Sequence, residues 1–235
     1  MAPSRLHELF LANMKSASLT TAPLQIVVGI GPDAKSFYLD EGLATFHSRF
    51  FAAALRNGWK EAADHQVKLK DERSEIFEIF ARFLYTGKVY SCKEGDSVEK
   101  GKDQECPRLR NCWFAGDRLD STSFKDAVID AMCEKIRTEN KIPMRLHPEA
   151  YTATTTANPF RRLTVDIAIW NWVGFKRTGV IPPGCDEFWR DLATRRMELK
   201  DSQVVGEAPY RQISCDYHEH TVHGTACYKT MFNDI

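Results

Sequence analysis

Five potential metal ligands, Cys215, His218, His220, His223 and Cys227, lie within thirteen residues near the end of the chain. Zinc favours four thiolate or imidazole ligands in a tetrahedron, and Cys-x-x-His followed by His-x-x-x-Cys can supply them. A structural ion is the expected kind, and no other cofactor is expected. The competing reading is a solvated His-rich tail held by Tyr217 and Tyr228, since no ββα or ribbon pattern surrounds the cluster. The run His218-Glu219-His220-Thr221-Val222-His223 misses the His-Glu-x-x-His pattern of zinc proteases, because Val222 stands where the second histidine is needed.

A second stretch, Gly29-Ile30-Gly31-Pro32-Asp33-Ala34-Lys35-Ser36, has the outline of a phosphate-binding loop. Ala34 replaces the glycine that should precede the lysine, and Asp33 puts a carboxylate where an anion would sit. Ser36 to Leu39 then reads as strand, not as a helix whose N-terminus could face phosphate. A hairpin turn is the better account. No Gly-x-Ser-x-Gly elbow occurs, which leaves hydrolase chemistry unsupported; the chain is expected to act without catalysis.

The elements around these stretches follow from periodicity. Leu6, Leu9, Phe10 and Met14 fit a short amphipathic helix before Pro23, and Leu24 to Gly29 with Ser36 to Leu39 fits a hairpin. Glu41 to Leu55 reads as a single helix and Gln66 to Leu69 as a third strand. A further helix is expected to be capped by Ser74 and closed by Gly87. Between Ser91 and Glu105 eight of fifteen residues are charged, which predicts an exposed, mobile loop. Leu109 to Leu119 and Phe124 to Ile136 predict a helical hairpin. Pro159 opens a strongly apolar helix through Leu163, Ile167 and Trp170, and Phe188, Leu192 and Leu199 mark one more.

Length and composition bound the function class. The 235 residues are 43% hydrophobic and 27% charged, as in ordinary globular domains. Thirty-two basic residues balance thirty-two acidic ones, which argues against nucleic acid as a direct partner, because each neutralised phosphate needs its own cation. The apolar runs are too short to span a membrane, and the first twenty residues lack the form of a secretory signal. A cytosolic or nuclear setting, with the seven cysteines reduced, is the expectation.

Residues 26–89 carry a resemblance. Phe37-Tyr38-Leu39-Asp40-Glu41-Gly42-Leu43, His47-Ser48-Arg49-Phe50-Phe51, Gly58-Trp59-Lys60-Glu61-Ala62 and Phe83-Leu84-Tyr85-Thr86-Gly87-Lys88 occur in the order and spacing of the BTB (POZ) family. Trp113, Gly116, Asp117 and Leu119 match the Trp-x-x-Gly-Asp-x-Leu segment of the short fungal members. The chain departs at Asp40, where many members carry a largely buried His, so Asp40 must find a hydrogen-bond partner or lie at the surface.

The resemblance implies an α+β BTB fold, a small sheet with packed helical hairpins over residues 20–137. A helical, BACK-like region at 138–200 and the Cys/His tail at 201–235 would follow. It further implies a protein-interaction module that homodimerises and acts as a substrate adaptor for a cullin-3 type ubiquitin ligase. A homo-oligomerising scaffold with no ligase role is the alternative. The family's hydrophobic-x-Glu cullin motif is matched by Trp59-Lys60-Glu61, with Phe51 and Leu55 as neighbouring candidates. Leu6, Leu9, Phe10 and Met14 of the 1–19 helix would stand at the dimer interface.

Overall fold

Alternation of buried and half-buried side chains begins the ordered structure: Leu24, Ile26 and Val28 are fully buried in strand β1 (Leu24–Val28) while Gln25 and Val27 face the other way. The computed structural model describes residues 23–56, 59–93, 96, 104–139, 146–171, 186–199 and 206–232. The 1–19 helix, and with it Leu6, Leu9, Phe10 and Met14, lies outside them. The chain divides into two compact units, one built from residues up to Val128 together with the stretch from Gly224, the other spanning Ile129–His223. The fold class is α+β, a small three-stranded mixed sheet followed by a mostly helical region.

In the first unit, a 3₁₀ turn at Gly31–Asp33 links β1 to strand β2 (Lys35–Leu39), which runs antiparallel to it with Ile26 opposite Phe37. The phosphate-loop lookalike is thus a hairpin connection. Strand β3 (Gln66–Leu69) pairs parallel to β1 on its other side, giving the order β2-β1-β3.

Where one helix was expected there are two, α1 (Glu41–His47) and α2 (Arg49–Ala54), because Ser48 adopts an extended conformation between them. Its Oγ donates to the Leu119 carbonyl at 2.6 Å and accepts from the Phe51 N–H at 3.1 Å, so one buried hydroxyl ends one helix and caps the next. Asp40 resolves its own difficulty by capping α1, its Oδ1 accepting from the Leu43 N–H at 2.8 Å. After short α3 (Lys60–Asp64) and β3, helix α4 (Ser74–Thr86) buries Ile76, Phe77, Phe80, Phe83 and Leu84. Its N-cap is Arg73, not Ser74. The Glu72 carboxylate accepts the Arg73 N–H at 3.1 Å, so Ser74 enters the first turn without a capping role.

Helices α5 (Glu105–Arg118) and α6 (Thr122–Glu139) follow in chain order where helices were expected, the unit boundary falling within α6. The expectation of an unanchored loop over 91–105 is corrected at its described residues. Ser91 is buried and its Oγ donates to Glu105 at 2.7 Å. Arg108, itself buried, reaches the Ser91 carbonyl and pairs with Asp96 at 2.7 Å. A charge-rich composition concealed a paired, partly desolvated guanidinium.

Gly87 closes α4 with a left-handed φ of 67°, and a Cβ there would overlap the Phe232 ring. Gly224, also left-handed at 64°, has open space around it. Gly87→Ala is therefore expected to cost at least about 2 kcal/mol in urea unfolding, from backbone strain plus overpacking. Gly224→Ala should show the backbone part alone, about 1–2 kcal/mol.

The second unit contains α7 (Leu146–Ala153), α8 (Pro159–Asn171) and α9 (Asp186–Glu198), then a 3₁₀ turn at Pro209–Arg211. Val165, Ala168, Ile169 and Phe188 form its core, with Tyr151 and Trp189 packed against them. Buried Arg161 ties the helices together: it stacks over Tyr151, donates to Thr154 Oγ1 at 2.9 Å and pairs with Glu187 at 2.5 Å. Among the described residues no helix is long and apolar enough to cross a membrane.

Candidate functional site

Two places gather the residues singled out by chemistry. The first is an open groove of 530 Å³ beside α2, α3 and β3. Phe50, Ala53 and Ala54 share one helical face at i, i+3 and i+4 and form one wall, while Trp59, Lys60 and Glu61 form another. Trp59 is the N-cap residue of α3, where its backbone is extended and its side chain makes no capping bond. It stands 63% exposed beside Phe50 at 36%. Among the described residues β3 is an edge strand, and Lys68 with Lys70 just past its end lies along the groove; edge lysines discourage unwanted strand pairing.

Three residues expected at a partner face do reach this groove: Trp59, Lys60 and Glu61. Phe51 does not. It is fully buried, its ring 6.4 Å from Phe80 and 6.5 Å from Phe77, so it belongs to the core and not to a docking surface. Successive residues on a helix point about 100° apart, and Phe50, overlooked in the sequence, takes the outward position. Leu55, the C-cap of α2, is half-buried and stands outside the groove lining.

The second place is the stretch Cys215 to Cys227. The ligand atoms of Cys215, His218, His220 and Cys227 all lie within 4.8 Å of one another, with both histidines buried and both cysteines half-buried. A turn closed by the His218 N–H donating to the Cys215 carbonyl at 3.1 Å brings the first two together. His220 opens the four-residue helix α10 (His220–His223), which ends at left-handed Gly224, and Cys227 caps α11 (Tyr228–Met231). His223 is corrected out of the set. It sits at the exposed end of α10, a turn beyond His220, and Cys227 completes the four.

Within the second unit three buried contacts hold this stretch. His218 Nε2 lies 3.0 Å from Asp130 Oδ1, and the Asn158 amide donates to Glu219 at 3.2 Å. The Tyr217 hydroxyl donates to Asp166 at 2.7 Å, and Asp166, fully buried, also pairs with Arg195 at 3.0 Å. Burial and the Asp166 charge push the Tyr217 phenol far up, so it stays a donor. Asp130 and Asp166 had no local signal in the sequence, being 88 and 51 residues from their partners. The tail is built into the fold here and is not a solvated one.

Elsewhere, burial pushes the Cys112 thiol up to about 12, which keeps it protonated and unreactive in the core. Compared with known proteins, the chain matches no family model and no curated protein.

Proposed function

We propose that the chain is a non-enzymatic protein-interaction module of the BTB type, and that the groove between α2 and α3 receives a cullin-3 type partner. The observation that carries this reading is the exposure of Trp59 next to Phe50 over an open groove. A tryptophan contributes about 150–250 Å² of burial, so covering the exposed part of Trp59 is worth about 3 kcal/mol to an association. Water gains nothing from leaving it uncovered. Aromatic anchors of this kind dominate interface energetics, and Lys60 and Glu61 supply the polar rim that sets register.

The α+β architecture supports the same reading: a small three-stranded sheet followed by a mostly helical region accords with the α+β fold that the sequence resemblance implies. Homodimerisation through Leu6, Leu9, Phe10 and Met14, and a cytosolic or nuclear setting, complete the proposal.

Calorimetric titration of the full chain with a cullin-3 N-terminal domain tests it. The unmodified chain should bind, and Trp59→Ala should weaken binding on the order of 100-fold, the equivalent of about 3 kcal/mol. Glu61→Ala should weaken it less. Both side chains stand clear of the core, so urea unfolding should change little. Absence of binding by the unmodified chain would overturn the cullin assignment and leave a self-associating scaffold as the account.

A further inference from the structure

We propose that Cys215, His218, His220 and Cys227 bind one zinc ion in a closed, structural S₂N₂ site, independently of any partner at the groove. Zinc–sulfur bonds of about 2.3 Å and zinc–nitrogen bonds of about 2.0–2.1 Å make a tetrahedron with edges of about 3.3–3.8 Å. Four ligand atoms already within 4.8 Å of one another need only a small contraction to reach it. The four come from a single thirteen-residue stretch, in the order Cys-x-x-His-x-His, six residues, Cys.

Charge and donor type point to the same ion. Two thiolates and two neutral imidazoles around Zn²⁺ sum to zero, so the centre can be half-buried without an uncompensated charge. Such a set discriminates against magnesium and calcium, which want oxygen ligands, and all four tetrahedral positions are taken, leaving none for a catalytic water. Asp130 adds what metal-binding histidines usually have, a carboxylate on one ring nitrogen: its Oδ1 lies 3.0 Å from Nε2 of His218.

The backbone of this stretch also calls for such support. Helices α10 and α11 are four residues each, far below the length at which a helix sustains itself. Buried Tyr217, His218, Glu219 and His220 supply little apolar surface for their number. Coordination stabilises an arrangement of this kind directly, because the unfolded chain has no preformed site. Binding involves no redox change: Zn²⁺ replaces the protons of the two thiols, which go to solvent, and four metal–ligand bonds form.

Metal analysis of the full chain, purified without chelator and then given zinc in slight excess and desalted, should find about one zinc per chain. Exchange with Co²⁺ should give the intense visible bands of tetrahedral cobalt together with thiolate-to-cobalt charge transfer in the near ultraviolet. Cys227→Ser and His220→Ala should abolish both signals, and His223→Ala in the same stretch should keep them. Asp130→Asn should weaken zinc affinity by about 10–100-fold in a chelator competition.

The native chain is read first, so a variant that fails to fold cannot decide the matter alone. A folded native chain that takes up no zinc would overturn the site, as would a Cys215–Cys227 disulfide that persists in place of metal when the protein is supplied with zinc and a thiol reductant. Octahedral cobalt without thiolate charge transfer, the mark of adventitious surface binding, would do the same. So would equal loss of zinc in His223→Ala and His220→Ala.

Discussion

Phe51→Ala is expected to remove about 3–5 kcal/mol of stability, a large part of what a domain of this size has. The ring is fully buried among Phe77 and Phe80 of α4, and Phe80 in turn packs edge-on against Phe124 of α6 at 5.1 Å. Truncation leaves a cavity that these two neighbouring rings cannot close, since Phe77 is held by Phe37 and Phe80 by Phe124. Phe50→Ala, one residue away, should change urea unfolding by less than about 1 kcal/mol, because that ring is 36% exposed on the groove side. The two variants therefore separate folding from docking: the first should lower the unfolding midpoint, and the second should weaken partner binding in a chain of nearly normal stability. A similar loss of stability in both would show that the groove wall is part of the core.

Acidification is expected to destabilise the first unit through His47. Its ring is 4% exposed, stacked 5.3 Å from Phe232 and edge-on to Phe83, with Nδ1 2.9 Å from Ser123 Oγ and Nε2 buried without a hydrogen-bond partner. Burial lowers its pKa from 6.5 to about 4. Above pH 6.5 the ring is neutral in folded and unfolded chains alike, and its contribution does not change with pH. Between 6.5 and about 4 the unfolded chain takes up a proton that the folded chain refuses, so stability falls as pH falls, by about 3 kcal/mol over the window. Below about 4 both forms are protonated and the slope vanishes.

Urea unfolding at pH 7, 5.5 and 4.5 for the native chain and His47→Phe checks this. The variant should lack the His47 share of the slope, a difference of about 2 kcal/mol between pH 7 and 4.5 if the ring titrates as its burial dictates. Equal slopes in the two proteins would show that His47 protonates without unfolding. Glu75 and Asp96 also act on the acid side. The Lys93 side chain beside Glu75 and the Arg108 guanidinium beside Asp96 hold these carboxyls below their usual range, and the stability they lend is lost only as pH falls below ordinary carboxyl values. The variant comparison isolates His47 from them.

Much of the candidate chemistry was readable before any fold. Trp59-Lys60-Glu61 follows a helix, and the family resemblance marked it as a candidate partner face. Phe50 could have been found too, since Phe50, Ala53 and Ala54 fall on one helical face. The choice between Phe50 and Phe51 was hidden because both are equally apolar, and only the position of α4 settles which one is covered. At the Cys/His stretch, composition suggested five ligands, but the geometry of α10 and Gly224 decides that Cys227 and not His223 joins the other three.

Local physics accounts for the elements themselves. Alternation wrote β1, the Gly31-Pro32-Asp33 turn reversed the chain, and the apolar face of α4 with Gly87 at its end set the length of that helix. These depend on periodicities and conformational preferences that act within a few residues. Long-range contacts determined the rest: the break at Ser48 needs the Leu119 carbonyl, Ser91 and Asp96 are tied down by Arg108, and the Cys/His turn is held by Asp130 and Asp166. A buried polar group takes whichever partner the packing brings to it, and no local pattern encodes a partner dozens of residues away.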